Sequence, residues 1–270
     1  MGARPDITAW RPGVEGIAEV FHAHFADHAY PMHTHDAWTL LIVDEGAVRY
    51  DLDRHEHGAP RSVVTLLPPH VPHNGGPASP GGFRKRVLYL DTTQLGTDLV
   101  GRAVGRPVLR DPRLRHRVDQ LHRTLMHPGD ELEAQSRLAL VAERLARHLR
   151  DEPAAPRTSD RRVAYALRDL LDEHVVAGLA LREAAERLHC HHTHLVRAFS
   201  REFGLAPHQY LTGRRVDLAR RLLLGGMRAP EVATSTGFYD QSHFSRHFKR
   251  VVGTSPGHYA RTGAAPPPVS

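Results

Sequence analysis

Two stretches of the C-terminal third are copies of one another, and this repeat leaves the chain few folds to choose from. His194–Tyr210 (HLVRAFSREFGLAPHQY) and His243–Tyr259 (HFSRHFKRVVGTSPGHY) agree at seven of 17 positions at an offset of 49. The pairs are His194/His243, Arg197/Arg246, Phe199/Phe248, Arg201/Arg250, Gly204/Gly253, Pro207/Pro256 and Tyr210/Tyr259. Upstream the match continues at an offset of 48 with Glu183/Glu231 and Ala185/Ala233, so the one-residue difference falls where a turn absorbs it. Two copies are too few for a solenoid. Each copy reads as helix, turn, helix. In the first, Leu181, Ala184, Ala185 and Leu188 form the buried face of a short helix, and residues 189–192 turn. A second helix from about Thr193 to Phe203 then buries Leu195, Phe199 and Phe203. In the second copy, Val232 and Ala233 lie on the short helix, Gly237 turns, and Phe244, Phe248 and Val251 are buried. Gly204 and Gly253 stand where a helix ends in the left-handed conformation. Pro207 and Pro256 stand where the next one starts.

With the apolar faces assigned, helical spacing turns Thr193, Val196, Arg197 and Ser200 outward in the first copy. In the second it turns out Gln241, Ser242, Ser245, Arg246 and Lys249. Such side chains suit a major groove: arginine takes guanine O6 and N7 together, glutamine takes adenine N6 and N7, and valine or threonine meets a thymine methyl. A merely solvated surface is the plain alternative for one helix. Two related helices with arginine at the same place argue for reading. Pro207–Leu224 reads as one joining helix whose 18 residues span about 27 Å, which spaces the reading helices about 34 Å apart, one turn of B-DNA. Arg214, Arg215, Arg220 and Arg221 on the joining helix, with Lys249 and Arg250, are candidates for phosphate contact or for helix–helix ion pairs, and Ser200 is a further candidate for phosphate contact. Charge agrees: residues 161–262 hold 16 Lys and Arg against 9 Asp and Glu, the remainder 20 against 21. A basic segment on a near-neutral partner suggests a polyanion for that segment.

Residues 161–261 resemble the DNA-binding domain of the AraC/XylS family of transcription regulators. The resemblance rests on Gly237-Phe238, on Ser242-His243-Phe244-Ser245-Arg246-His247-Phe248-Lys249, on Gly253, and on Ser255-Pro256-Gly257-His258-Tyr259. It implies seven helices, with a long one joining two helix-turn-helix units. It also implies base contacts at Thr193, Val196, Arg197, Gln241, Ser242, Ser245 and Arg246, and double-stranded DNA as partner. Activation is the commoner mode in the family, which would add RNA polymerase as a partner. His191 and His192 depart from the Ser or Asp that usually caps the first recognition helix.

Residues 17–92 read as β-rich, with apolar runs at 38–43, 48–52, 63–67 and 87–90 separated by Gly, Pro, Asp and His. That spacing suggests a small sandwich or barrel. From Asp111 the period becomes helical, with Leu114, Val118, Leu121 and Leu125, then Leu138, Val141, Leu145 and Leu149. These are two amphipathic helices, 111–126 and 134–150, broken by His127-Pro128-Gly129. The fold class is therefore α+β: a cupin-like β-barrel followed by helices, then an all-α domain with two helix-turn-helix units joined by a long helix. The expected domains are a sensor at 1–105, helices at 106–150 that pack on the barrel and dimerise, a linker at 151–160, the DNA-binding domain at 161–262, and a disordered tail at 263–270.

His33 and His35 alternate just before an apolar strand and so point the same way. His73 follows the Pro68-Pro69 turn, and His22, His24 and His28 lie upstream. Three imidazoles are a candidate site for Zn, Ni or Fe. The region resembles the cupin-like sensor domain that many AraC-family proteins carry. In metal-binding cupins a glutamate follows the histidine pair; here that position is Thr39, and His70 stands where the second motif has glycine. The reading adopted is an effector pocket of His33, His35, Trp38 and His73 for an anionic or polar small molecule, with no cofactor required and a divalent metal on His33, His35 and His73 as the lesser alternative. A metal-dependent cupin enzyme with an accessory helical domain, and a sequence-blind nucleoid binder, are the competing functions. Cys190 is the single cysteine, so no intrachain disulfide forms, as expected in a reducing compartment. No apolar run reaches signal-peptide or membrane-span length, and the chain reads as a cytoplasmic homodimer.

Overall fold

The computed structural model describes residues 6–151 and 161–262. The linker expected at 151–160 lies outside the described residues except for Asp151, and the tail expected at 263–270 lies wholly outside them. The described residues divide into two compact units, one of 6–123 with 140–151, the other of 124–139 with 161–262. The sequence reading grouped 106–150 in one piece; by compactness, 124–139 go with the helical domain instead.

The first unit is antiparallel. Its strands are β1 (Asp6–Trp10), β2 (Ile17–Phe25), β3 (Tyr30–His33), β4 (Trp38–Leu52), β5 (His55–Pro60), β6 (Val64–Leu67), β7 (His73–Pro77), β8 (Phe83–Leu90) and β9 (Val108–Leu109). Order runs β1-β2-β8-β4-β6-β9, while β4 also pairs β5 and β7, and β7 pairs β3. The two apolar runs at 38–43 and 48–52 are thus one 15-residue strand. Its first half pairs β6 and β8, its second half β5 and β7. Between them the register with β8 shifts and Gly46 takes φ +70°. A bulge of this kind bends one strand so that it serves two sheets, and it interrupts the apolar pattern.

Alternation holds on either side of the bulge. Leu41, Val43, Val48, Tyr50 and Leu52 share a core with Phe25, Phe83 and Val87. Trp38, Leu40 and Ile42, on the other face of the strand, are equally buried. A sheet buried on both faces needs a cover. It comes from α1 (Val100–Gly105), α2 (Pro112–Thr124) and the turns before them. Residues 140–150 of α3 (Glu131–Arg150) bond to these helices, Leu149 O accepting from Arg102 at 3.1 Å and Leu140 O from Arg117 at 3.3 Å. Trp38 Nε1 donates to Leu95 O at 3.0 Å. Arg86 of β8 holds Asp44 with two hydrogen bonds of 2.7 Å and reaches Asp119 of α2 at 2.8 Å. Arg115 of α2 donates to Val43 O at 2.9 Å.

The second unit contains the first turns of α3 and, among the described residues from 161 on, seven helices. They are α4 (Arg161–Glu173), α5 (Leu181–Arg187), α6 (His192–Phe203), α7 (Pro207–Leu224), α8 (Ala229–Ser235), α9 (Gln241–Val252) and α10 (Pro256–Thr262). The repeat has become α5–α6 and α8–α9, with α7 joining them. Both reading helices stop on a left-handed glycine, Gly204 at φ +71° and Gly253 at φ +85°. Val216, Ala219, Leu223, Val232, Ala233, Phe238, Phe244 and Phe248 form the core around the second copy. Two expected core positions differ. Val251 is 51% exposed and Val252 packs in its place. Phe203 is only partly buried, edge-on to Tyr165.

Candidate nucleic-acid interface and effector cavity

Each reading helix starts on a side-chain cap. His191 Nδ1 accepts the Thr193 N–H at 3.2 Å, so the unusual histidine performs the task of a Ser or Asp. Asp240 accepts the His243 N–H at 2.6 Å in the second copy. On α6, Thr193, Arg197 and Ser200 are partly exposed. Val196 is not: it is fully buried beside Leu195, Ala198 and Phe199, which removes it from the outward face where helical spacing had put it. The buried stripe of α6 is one position wider than a 3–4 template, and an apolar valine at its margin joins the interior. Its counterpart in α9 is Ser245, which stays partly exposed, with Gln241 and Ser242 fully so.

Arg246, the foremost base reader expected from the repeat, donates to Asp130 Oδ2 at 2.8 Å. The other oxygen of Asp130 accepts from His243 Nε2 at 2.9 Å and His247 Nε2 at 2.7 Å. The tautomers follow from the remaining nitrogens: His243 Nδ1 accepts the Tyr239 N–H, and His247 Nδ1 accepts from the Arg250 guanidinium. Burial would raise the Asp130 pKa, but hydrogen bonds from His243, His247 and Arg246 outweigh it and hold the carboxyl far below its usual range. Burial likewise lowers His247. One carboxylate and two imidazoles this close have the outline of a metal site. Yet both Nε2 protons are spent on Asp130 and both Nδ1 lone pairs are taken, so the cluster is a closed hydrogen-bond network around an Asp–Arg pair.

The segment carrying Asp130 touches both copies of the repeat. Gly129 has φ +91°, and a Cβ there would lie 2.5 Å from Tyr239 Cβ and 2.7 Å from His243 Nδ1, so only glycine allows the loop against the start of α9. Glu133 is clamped by Arg137 at 2.7 Å and lies 3.6 Å from Arg250 and 3.7 Å from His208. Gln135 accepts the N–H of Leu181, the first residue of α5, at 2.8 Å. Sequence reading missed these contacts with the repeat, because the partners lie from 46 to 117 residues apart.

The expected phosphate contacts divide. Lys249 is exposed and Ser200 partly so. Arg214 pairs with Asp172 at 2.8 Å. Arg215 is not a surface cation: it is partly buried, donates to Val175 O at 2.7 Å and lies over the Phe238 ring, and burial lowers its pKa. Arg250 is bonded to His247. Arg214 thus makes an ion pair from α7 to α4 and Arg250 one from α9 to Glu133 of α3 at 3.6 Å, while Arg215 is spent on a backbone carbonyl and a ring.

In the first unit a cavity of ≈ 460 Å³ opens among the strands. His33 of β3 stands opposite His73 of β7 in register. With His35 their rings form a cluster, centroids 4.6, 4.8 and 5.2 Å apart. Nδ1 of His33 donates to Pro31 O at 2.8 Å and Nδ1 of His73 to Val71 O at 3.0 Å, leaving lone pairs on both Nε2 atoms. Burial first, then His73, His33 and Lys85, pushes His35 down to about 4, so it is neutral at pH 7. Trp38 does not line the cavity, whereas Ala37 and Thr39 do. Trp38, the first residue of β4, is fully buried on the strand face opposite Thr39, with Nε1 bonded to Leu95 O, and the expected pocket loses it. Thr39 is the wall residue where metal-binding cupins place glutamate. His22 lies elsewhere, bonded to His122 at 3.1 Å. The wall also holds Lys85, which sequence reading passed over. Its signal was its rarity, since Lys249 is the only other lysine in the chain, and its phase with the wall residues Val87 and Tyr89.

Residues 16–142 match the family model of the AraC-like ligand binding domain, and residues 184–262 match that of a helix-turn-helix domain. YbfI of Bacillus subtilis, an uncharacterized HTH-type transcriptional regulator, is 25% identical over 229 residues, which cover 79% of this chain and 81% of YbfI. VirF of Yersinia enterocolitica, a virulence regulon transcriptional activator, is 29% identical over 91 residues, covering 33% of this chain and 34% of VirF. Among solved structures, the C-terminal domain of AraT, a response regulator from Geobacillus stearothermophilus, is 27% identical with a TM-score of 0.36, covering 44% of this chain and 95% of that one.

Proposed function

The chain belongs to the AraC family of DNA-binding transcription regulators, and from that premise we propose that it reads DNA with both helix-turn-helix units and answers to a small molecule held among the strands. Its relatives are regulators, not enzymes. The observation that carries the reading is the pair α5–α6 and α8–α9 on either side of the 18-residue helix α7, each presenting an arginine at the same place. This supports entry into two successive major grooves. Hydroxyl-radical footprinting on fragments selected from genomic DNA tests it: two protected patches about 10 base pairs apart are expected, and a single patch would refute two-groove reading. Thr193, Arg197, Gln241, Ser242, Ser245 and Arg246 are the proposed base contacts, Ser200 and Lys249 the proposed phosphate contacts. Arg246→Ala is expected to lose about 1–3 kcal/mol of discrimination between selected and random duplexes; equal losses on both would remove it from the readers.

The response to ligand is supported by the Asp130 contact. A guanidinium held by Asp130 is not free to take guanine O6 and N7, so the state described is closed to reading by Arg246. An effector opens it only through differential affinity for two states. Helix α3, which starts in the unit holding Asp130 and continues into the barrel unit, is one covalent route. The resemblance to the activator VirF supports activation, with RNA polymerase as partner. The homodimer stays a proposal without support from the apolar stripes of α2 and α3, which are buried within the one chain. A promoter fusion and sedimentation equilibrium test these in turn.

A second reading places a divalent metal on Nε2 of His33, His35 and His73. It is favoured by the carbonyl-pinned Nδ1 protons, the arrangement by which metal-ligating histidines are usually oriented. Such an ion would act as a Lewis acid toward an anionic effector. Stoichiometric zinc, nickel or iron lost in His73→Ala is the expected result; metal-free protein with an intact ligand response would remove this reading.

A further inference from the structure

We infer that the effector is an organic carboxylate with an apolar body, and that Lys85 binds its carboxylate. The inference rests on the reading of the cavity as the effector site and adds the ligand's class. Lys85 sits in the interior of a sheet, opposite Ala23 on β2 and Val43 on β4. Its neighbours along β8 show how this sheet treats cations. Arg84 pairs with Glu45 at 3.2 Å and Arg86 with Asp44 at 2.7 Å. Lys85, turned to the cavity side, has no ion pair or hydrogen bond among the described residues. Rings surround it instead: Tyr30 at 4.1 Å, Phe21 at 5.6 Å and Phe83 at 5.9 Å from the ammonium. The carboxylates on the same wall, Glu19 and Asp36, make no ion pair with it.

Ring faces replace only part of an ammonium's hydration, and a buried cation is costly until it is paired. Burial accordingly pushes Lys85 down to about 8, which leaves it mostly charged at neutral pH. Three more wall groups lack partners among the described residues: the buried hydroxyls of Tyr30, Thr39 and Tyr50. Together these are one ring-enclosed cation and three hydroxyl donors, the complement of an oxyanion. Arg11, the other cation on the wall, is exposed to solvent, so Lys85 is the one ring-enclosed charge and balances one negative charge. A dianion would leave a charge unpaired in the same cavity, which favours carboxylate over phosphate. Phe21, Leu41, Val48 and Val87 line the remainder, so the rest of the ligand is apolar. A cavity of ≈ 460 Å³ takes a small organic molecule.

The chain's two lysines make the test direct. EDTA-treated full-length protein labelled with [13C]lysine gives side-chain signals from Lys85 and Lys249 alone. Titration with phenylacetate and octanoate, each against its primary amide, is expected to move the Lys85 signal with the acids and leave Lys249 in place. The acids should bind about tenfold or more tighter than the amides, and Lys85→Met should lose about that factor for the acids while leaving the amides within about twofold. Should Lys85→Met misfold, the wild-type signals decide alone. Equal effects of acids and amides, acid binding that survives Lys85→Met, or acids that leave Lys85 unmoved would each overturn the inference. DNA affinity of the same samples separates the underlying reading. Acids that seat on Lys85 without changing DNA affinity uphold the carboxylate site and overturn its regulatory role. Amides that bind equally and do change DNA affinity overturn the carboxylate and uphold that role.

Discussion

Asp130 accepts three hydrogen bonds from side chains that can only donate there, so its replacement by asparagine is a sharp probe. The amide keeps shape and volume but turns an NH2 toward a donor whichever way it flips. Asp130→Asn is expected to free Arg246 and raise affinity for selected DNA about tenfold, at a cost of about 1–3 kcal/mol in stability. Fluorescence anisotropy and urea unfolding read the two effects, and unchanged affinity in a folded variant would end the closed-state proposal. Nothing local in the sequence points to Asp130, because its partners lie 113 to 117 residues away. Other residues were legible by simple rules carried to their end. Alternation within β4 sets Thr39 on the cavity side and Trp38 on the other, although residues 34–37, which carry His35, are not strand. Val196 escaped because helical period alone does not say how wide a buried stripe is.

The elements were the most legible level. The repeat anticipates α5, α6, α8, α9 and the joining helix α7, because apolar spacing and the two terminal glycines are local signals. The bend in β4 was not legible: a bulge breaks alternation, so one strand reads as two. The break at 127–129 was visible as a break, but what it rests against was not. Gly129→Ala tests that contact without touching a charge. Its Cβ would collide with Tyr239 and His243, so it is expected to open the loop and raise DNA affinity as Asp130→Asn does; affinity equal to wild type would separate the loop from the reading helix. Caps offer a second test at this scale. Asp240→Ala is expected to cost about 1–2 kcal/mol and His191→Ala about 0.5 kcal/mol, the imidazole bond being longer at 3.2 Å against 2.6 Å. Urea denaturation compares them, and equal losses would show that the histidine caps as well as the aspartate.

At the scale of the whole molecule the 22 histidines decide how stability follows pH. Burial is the leading cause that lowers His22, His35, His57, His73, His122, His192, His208 and His247. A histidine lowered in the folded state takes up its proton first in the unfolded one. Its stabilising contribution is therefore complete above the unfolded value of about 6.5 and is lost as pH falls below it. His122, fully buried against His22, contributes a loss of about 1.4 kcal/mol per pH unit in that range. The lowered carboxylates Asp111, Asp130 and Glu133 act in a different window: their contribution is present above about 4 and is lost only below it. Two acid transitions follow, a histidine-driven decline from pH 6.5 and a carboxylate-driven one below pH 4. Thermal melts from pH 7.5 to 5 should show Tm falling steadily, and His122→Gln should flatten the slope by about one proton. A Tm that holds level to pH 5 would mean these imidazoles reach water in the folded state. The Asp130 network is expected to outlast that decline, since its carboxylate stays ionised throughout. Acid should therefore loosen the protein before it releases Arg246, and DNA affinity measured at pH 6 should not rise above its value at pH 7.5.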